Sequence, residues 1–204
     1  MGGYPDVPVW EHVLALARGR RVLVDRTASP EHTDPIELPG DVTELSFYPW
    51  PPESLRELAL GSDVILVCGG STANMLAVWR VHGFDRILRE AWETGVVLAG
   101  WSAGMICWFE AGVTDSFGPQ LESMRDGLGF LPGSACPHYD AEERRRPVYT
   151  ELVGNGFPAG IALDDGAAAY YAGTELVEVV AANPDARGFH VGAHGETPLP
   201  VRLL

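Results

Sequence analysis

One stretch of the chain decides the fold: VVLAGWSAGMICWF at residues 96–109. Its first four residues, Val96–Ala99, form an apolar run of strand length, which is typical of a strand covered on both faces. The pattern G-x-S-x-G follows at once in Gly100–Gly104, and the apolar segment Met105–Phe109 predicts a helix. A strand, a sharp turn and a helix in this order indicate an α/β protein that presents a serine at the carboxyl end of a parallel strand.

Strands and helices also alternate on either side of this stretch. Before it the sequence predicts strands at Arg21–Asp25, Val42–Tyr48 and Asp63–Cys68, with helices at Pro52–Leu60, from Ser71 or Thr72 to Arg80, and from Asp85 to Gly95. The polar, proline-bearing segment Asp25–Gly40 is predicted to be a loop. After it we expect a helix at Glu142–Val153, interrupted by Pro147, and strands at Gly160–Leu163, Ala167–Ala172, Leu176–Ala181 and Phe189–Val191. The pattern predicts one α/β domain over residues 1–204, with a mostly parallel central sheet.

The charge balance restricts the partners that the protein can have. The chain carries 28 Asp and Glu against 14 cationic residues, all of them Arg, and its formal net charge is −14. Such an acidic surface repels phosphate backbones and anionic lipid, so we expect neither a nucleic acid nor a membrane as partner. The absence of Lys excludes Schiff-base chemistry and a Ser-Lys dyad. Without a membrane-spanning run or a signal peptide, a cytoplasmic protein is expected.

Cysteine and histidine are sparse and unclustered. The three cysteines, Cys68, Cys107 and Cys136, include no C-x-x-C pair, and the six histidines form no H-E-x-x-H or other zinc-binding spacing. We therefore expect buried free thiols, no metal and no organic cofactor.

Ser102 is the candidate nucleophile of the G-x-S-x-G motif. A strained strand-to-helix turn would project its hydroxyl from the sheet edge, at a helix N-terminus that favours negative charge. The N–H of Ala103, next in the chain, would be one donor to an oxyanion. The loop Gly69-Gly70, where two glycines permit close approach of the backbone, is the candidate for the second donor.

A serine nucleophile needs a base and an acid that orients the base. His138, in Cys136-Pro-His-Tyr-Asp140, follows a loop rich in Gly and Pro and is the candidate base. For the acid the spacing leaves Asp115, Glu110, Asp164 and Asp165 open. Among three consecutive arginines, Arg144–Arg146, Arg146 is the candidate for binding a substrate carboxylate, since arginine pairs bidentately with carboxylates.

Four motifs in order resemble those of the peptidase E family, the S51 serine peptidases, which include aspartyl dipeptidases and the related cyanophycinases. They are CGGSTANML at residues 68–76, AGWSAG at 99–104, VTDSFG at 113–118 and CPHYD at 136–140, with a weaker fifth, GIALDDG, at 160–166. The resemblance extends from about Asp63 to Gly173. It departs from the family at Ser71, where the glycine loop commonly continues with Asn, and this puts the substrate specificity in question.

The resemblance implies a fold and a mechanism. The fold would be a three-layer α/β sandwich like that of class I glutamine amidotransferases, with Ser where those enzymes have Cys. Ser102 would be the nucleophile, His138 the base and Asp115 the third member, with Gly70 and Ala103 at the oxyanion hole. Family members cleave dipeptides with an N-terminal aspartate, so we expect a small peptide substrate, and a homodimer is expected from the family alone. The alternatives are another acidic or cyanophycin-like peptide, or a non-catalytic relative that binds an acidic metabolite.

Overall fold

The computed structural model describes residues 1–32, 36 and 38–204. In that part of the chain the helices are α1 (Val7–Leu16), α2 (Leu55–Leu60), α3 (Thr72–His82), α4 (Phe84–Glu93), α5 (Ala103–Ile106) and α6 (Arg145–Gly154). The strands are β1 (Arg21–Asp25), β2 (Asp41–Leu45), β3 (Val64–Val67), β4 (Val97–Gly100), β5 (Phe109–Thr114), β6 (Glu122–Met124), β7 (Leu131–Cys136), β8 (Gly160–Leu163), β9 (Ala167–Ala172), β10 (Glu175–Ala181), β11 (Gly188–Gly192), β12 (Gly195–Pro198) and β13 (Val201–Leu203).

The amino-terminal half of the chain forms a parallel sheet with the strand order β2-β1-β3-β4. All four residues of β3 are buried, as its continuous apolar run predicted. Alternate side chains serve the two faces: Val22 belongs to the same buried cluster as Trp10 of α1, whereas Leu23 belongs to the cluster of Trp79 of α3. Helices therefore cover both faces, and this layering confirms the predicted α/β class.

The second half forms a six-stranded mixed sheet with the order β12-β11-β8-β7-β5-β6. Its inner strands β5, β7 and β8 are parallel, and the remaining pairs are antiparallel. Helix α6 packs on this sheet through Tyr149 and Val153. A smaller sheet with the order β13-β10-β9 completes the fold.

The helix predicted at Met105–Phe109 is wrong in its extent. Helix α5 ends at Ile106, and Phe109 already begins β5, because Phe109, Ala111 and Val113 are apolar with the period of a strand. The predicted helix at Glu142–Val153 begins later, at Arg145. Pro147 then lies in its first turn, where a missing N–H has no intrahelical partner to lose.

Several elements escaped the sequence analysis. Helix α1 and the short strands β6, β12 and β13 were not predicted, and part of the loop predicted at Asp25–Gly40 lies outside the described residues. Within residues 1–32, 36 and 38–204, no helix has the length and apolar character needed to cross a membrane.

Candidate active site

Ser102 lies in a strained turn between β4 and α5. Its φ is 54° and its ψ −115°, a backbone conformation that L side chains rarely adopt. The flanking glycines are required by packing: a Cβ on Gly100 would lie 2.3 Å from the Gly104 carbonyl oxygen, and one on Gly104 would lie 2.1 Å from that of Val67. The N–H of Ile106 donates to the Ser102 carbonyl at 3.0 Å and starts the helix. The turn thus has the geometry that a nucleophile at a strand-to-helix turn requires.

His138 follows β7 and is held by a carboxylate from the neighbouring strand. Its Nδ1 lies 2.7 Å from Oδ1 of Asp165, which follows β8. The side chains are 19% and 44% exposed, respectively. The N–H of Asp165 donates to Oδ1 of Asp140 at 2.9 Å, which fixes the backbone beside the pair. Like Ser102, His138 has a positive φ, 53°. The ring is therefore oriented by a carboxylate and turned out of the regular strand direction.

Asp115 is not the residue that orients His138. Strand β7 lies between β5 and β8, so the turn after β5 and the turn after β8 flank His138 from opposite sides. Asp115, after β5, is exposed, and the side chain that reaches the ring is Asp165. Glu110 lies at the amino end of β5, where its Oε2 accepts the Gly133 N–H at 2.9 Å. The prediction of Asp115 as third member is wrong because sequence spacing does not show on which side of β7 the imidazole turns.

The two candidate oxyanion donors flank Ser102. A Cβ built on Gly69 would lie 3.1 Å from Cβ of Ser102, so this loop passes directly over the serine. Gly70 has a φ of +134°, which glycine alone adopts readily. Among the described residues, no hydrogen-bond acceptor is found for the N–H of Gly70 or that of Ala103. Neither N–H group is therefore committed to an acceptor in that part of the chain.

Ser102, His138 and the glycine loop line one open cavity of about 1010 Å³. Arg26, at the end of β1, and Tyr48 also contribute to its wall. The Arg26 side chain is 13% exposed and forms an ion pair with Glu44 at 3.0 Å. A cation therefore stands at the wall of the cavity that holds the serine.

The three consecutive arginines lie elsewhere and have structural partners. Arg146 pairs with Glu196, and its guanidinium stacks 5.3 Å from the ring centre of Tyr139. Arg145 is buried against Glu142, and Arg144 donates to the Gln120 side-chain oxygen at 2.8 Å. None of the three lines the cavity of Ser102. The prediction that Arg146 binds substrate is therefore not supported by the geometry, and Arg26 takes its place as candidate.

The cysteines are not candidate nucleophiles. Burial raises the pKa of the Cys68 and Cys136 thiols to about 12, and that of Cys107 also rises. A thiol with so high a pKa stays protonated and unreactive at neutral pH. Among the described residues, no group of His, Cys, Asp and Glu has the arrangement to hold a metal ion.

A buried carboxylate, Asp25, holds the turn after β1 and was missed by the sequence analysis. It accepts the Thr27 N–H at 2.8 Å and the Trp79 indole N–H at 2.7 Å. Burial raises its pKa to about 6. The signal that could have found it is its position: it ends β1, next to the strand that leads to the glycine loop.

The amino-terminal segment also reaches the site. A Cβ built on Gly3 would lie 2.6 Å from Oδ1 of Asp165, and the ring of Tyr4 meets that of Trp101 edge-on at 5.1 Å. The N–H of Gly2 donates to the Ala167 carbonyl at 3.0 Å. No sequence motif marked these residues, because their contacts with the site join segments that are far apart in the sequence.

Sequence comparisons with known proteins show the family of the chain. The family model of peptidase family S51 matches residues 35–179. The chain is 48% identical over 167 residues to the uncharacterized peptidase YgaJ of Bacillus subtilis (strain 168), covering 79% of this chain and 72% of that protein.

Two solved structures share the fold. A peptidase from an acI-B1 actinobacterium has a TM-score of 0.69 at 20% identity, covering 98% of this chain and 92% of the other. A Listeria monocytogenes EGD-e protein proposed to be a peptidase E has a TM-score of 0.60 at 19% identity, covering 84% and 91% of the two chains. At this identity the likeness concerns the fold, and it agrees with the expected class I glutamine amidotransferase-like architecture.

Proposed function

Because this chain belongs to peptidase family S51 and is a serine-type peptidase, we propose that it is a dipeptidase that hydrolyses Asp-X peptides through an acyl-enzyme on Ser102. The observation that carries the proposal is the imidazole of His138, held at 2.7 Å by Asp165, in the same cavity as a serine in a strained turn. A nucleophile, a base and an acid that orients the base are the parts that serine hydrolysis needs.

The proposed reaction has two halves. Oγ of Ser102 attacks the peptide carbonyl while Nε2 of His138 takes its proton, and the imidazolium then protonates the departing amine. In the second half a water gives a proton to Nε2 of His138 and attacks the acyl carbon. The imidazolium then returns that proton to Oγ of Ser102 as the ester bond breaks and the acid product leaves. The Nδ1–H of His138 donates to Asp165 throughout, which fixes the tautomer and stabilises the imidazolium. The N–H groups of Gly70 and Ala103 donate to the oxyanion in both halves.

The acidic residue of the substrate needs a cation, since the chain as a whole carries a charge of −14. Arg26 lines the cavity and can bind a carboxylate through its guanidinium. The resemblance to aspartyl dipeptidases favours aspartate. The cavity, at about 1010 Å³, also leaves room for a longer acidic peptide, so a cyanophycin-like substrate is the second candidate.

The first test separates an enzyme from a binding protein. A fluorophosphonate should label the wild-type protein, and Ser102→Ala should abolish labelling while the Tm is retained, because alanine fits the turn. Loss of the nucleophile should lower kcat by roughly 10⁴–10⁶. A folded wild-type protein that resists labelling and cleaves no peptide would instead be a non-catalytic relative.

The second test addresses the substrate. A panel of Asp-X, Glu-X, isoaspartyl, cyanophycin-like and Ala-X peptides should give the highest kcat/KM for Asp-X. Arg26→Met should lower that value about 10- to 100-fold, since a hydrogen bond to a charged group contributes about 1.5–3 kcal/mol. Arg146→Met, which removes an arginine from the outside of the cavity, is the matched control and should leave kcat/KM unchanged. Equal cleavage of Asp-X and Ala-X would contradict the proposed specificity.

A further inference from the structure

The turn after β1 forms two hydrogen bonds with the glycine loop that passes over Ser102. The Oγ of Ser29 donates to the Gly69 carbonyl oxygen at 2.9 Å, and the Ser71 N–H donates to the Ala28 carbonyl at 2.8 Å. Ser29 is 7% exposed, so water does not readily replace it as the donor. Two hydrogen bonds from one turn therefore bracket the Gly69–Gly70 peptide.

The bond from Ser29 sets the direction of the Gly70 N–H. The Gly69 carbonyl and the Gly70 N–H belong to one planar trans peptide, so they point to opposite sides. The loop lies between two walls: a Cβ on Gly69 would meet Cβ of Ser102 at 3.1 Å, and one on Gly70 would meet the Ala28 carbonyl at 2.2 Å. With the carbonyl drawn to Ser29, the N–H of the same peptide points away from Ser29.

We propose that Ser29 is a positioning residue of the oxyanion hole, which it orients through the Gly69–Gly70 peptide. The proposal rests on the proposed function, because the oxyanion forms only if Ser102 is acylated. Ser29 acts in two ways. Its hydroxyl holds the peptide plane against rotation, and by donating to the carbonyl it polarises the same amide and strengthens the N–H as a donor.

The turn itself does not depend on the Ser29 hydroxyl. The carboxylate of Asp25 holds Thr27 through its N–H and its hydroxyl, and Trp79 anchors that carboxylate from α3. The bond from the Ser71 N–H to the Ala28 carbonyl involves backbone atoms alone, so we expect it to persist when Ser29 is changed. Removal of the hydroxyl should therefore release one peptide plane and leave the fold in place.

The experiment compares Ser29→Ala and Ser29→Thr with a control, Ser62→Ala. Ser62 makes the same kind of bond, from its hydroxyl to the Leu58 carbonyl at 2.9 Å, but far from the cavity. Ser29→Ala should lower kcat about 10- to 100-fold, somewhat less than loss of an oxyanion donor, with KM within about twofold. Labelling by fluorophosphonate should slow in parallel, because the phosphoryl oxygen occupies the same hole. Ser29→Thr should restore most of the rate, and Ser62→Ala should match the wild type.

The outcomes separate this inference from the proposed function. Ser29→Ala with wild-type kcat and labelling rate, while Ser102→Ala is inactive, overturns the role of Ser29 alone. A loss confined to KM, or a folded Ser29→Thr as slow as Ser29→Ala, also overturns it. A wild-type protein that is neither labelled nor active overturns both. If Ser29→Ala does not fold, Ser29→Cys keeps a weak donor of similar size and should give an intermediate kcat; a wild-type kcat there counts against the inference.

Discussion

The two large sheets supply different halves of the candidate site. The parallel sheet β2-β1-β3-β4 carries Ser102 after β4 and the glycine loop after β3, which are the groups that would meet the carbonyl carbon and oxygen. The mixed sheet carries His138 after β7 and Asp165 after β8, which are the groups that would move and stabilise the proton. In both sheets the residues follow the carboxyl ends of parallel strands, so their separate edges meet in one cavity.

This division shows why one half of the site is easier to infer than the other. In the parallel sheet the nucleophile and the donor loop follow adjacent strands in a regular strand–helix pattern, so motif and position agree. In the mixed sheet β7 has a parallel neighbour on each side, and each neighbour is followed by an aspartate: Asp115 after β5 and Asp165 after β8. Only the side chain's direction decides between them.

The largest effect should separate the two aspartates that follow the neighbours of β7, Asp165 and Asp115. Asp165→Asn should lower kcat by about 10⁴, because an amide lets the imidazole adopt the wrong tautomer and leaves the imidazolium unpaired. Asp115→Asn makes the same chemical change at an exposed residue, and its kcat should stay within about twofold of the wild type. The kcat of both variants is measured by steady-state kinetics, with Tm as a check of folding. A larger loss in Asp115→Asn than in Asp165→Asn would show that Asp115 orients His138.

A smaller effect should follow from crowding the same carboxylate. The methyl group of Gly3→Ala would lie 2.6 Å from Oδ1 of Asp165 and must displace it, whereas Gly154→Ala meets no atom within 4 Å and is the control. Because misplacing a catalytic group by about 1 Å can cost 10²-fold, kcat should fall roughly 10- to 100-fold.

The same substitution also tests whether the amino-terminal segment acts through Asp165. Gly3→Ala should have little further effect in an Asp165→Asn background, since the charge that it displaces is already gone. Additive losses in the double variant would show that the segment acts by another route.

The smallest effect concerns the stability of the parallel sheet, in which strand β1 ends with the buried acid Asp25. The pKa of Asp25 is raised to about 6 from an ordinary 3.8, so the folded state holds this proton more tightly than the unfolded state does. The contribution to the free energy of unfolding is thus fully present below about pH 4 and is lost as pH rises through about 6. It amounts to roughly 2–3 kcal/mol. Chemical denaturation from pH 4 to 7 should show that slope in the wild type relative to Asp25→Asn; parallel curves would contradict it.

The sequence predicted the fold class and the positions of β1, β3 and β4, because buried strands of a parallel sheet are continuous apolar runs. Three of the residues that it singled out, Ser102, His138 and Gly70, line one cavity, and their catalytic roles stay predictions. It failed where the answer depends on contacts between distant segments. Arg146 was chosen for its charge, but it lies outside the cavity of Ser102, beside Glu196, which is 50 residues away in the sequence. The direction in which the His138 ring turns is likewise set by tertiary packing and leaves no local pattern.

The positive φ angles of Ser102 and His138 have a consequence for how the protein can change over generations. They are the two non-glycine residues with this conformation in the described part of the chain, and each such residue costs about 1–3 kcal/mol. Glycine at either position would relieve the backbone strain and would remove the nucleophile or the base. Selection for hydrolysis must therefore retain these two residues against the relief of backbone strain. In a duplicate without that selection, substitution by glycine would remove the strain together with the activity.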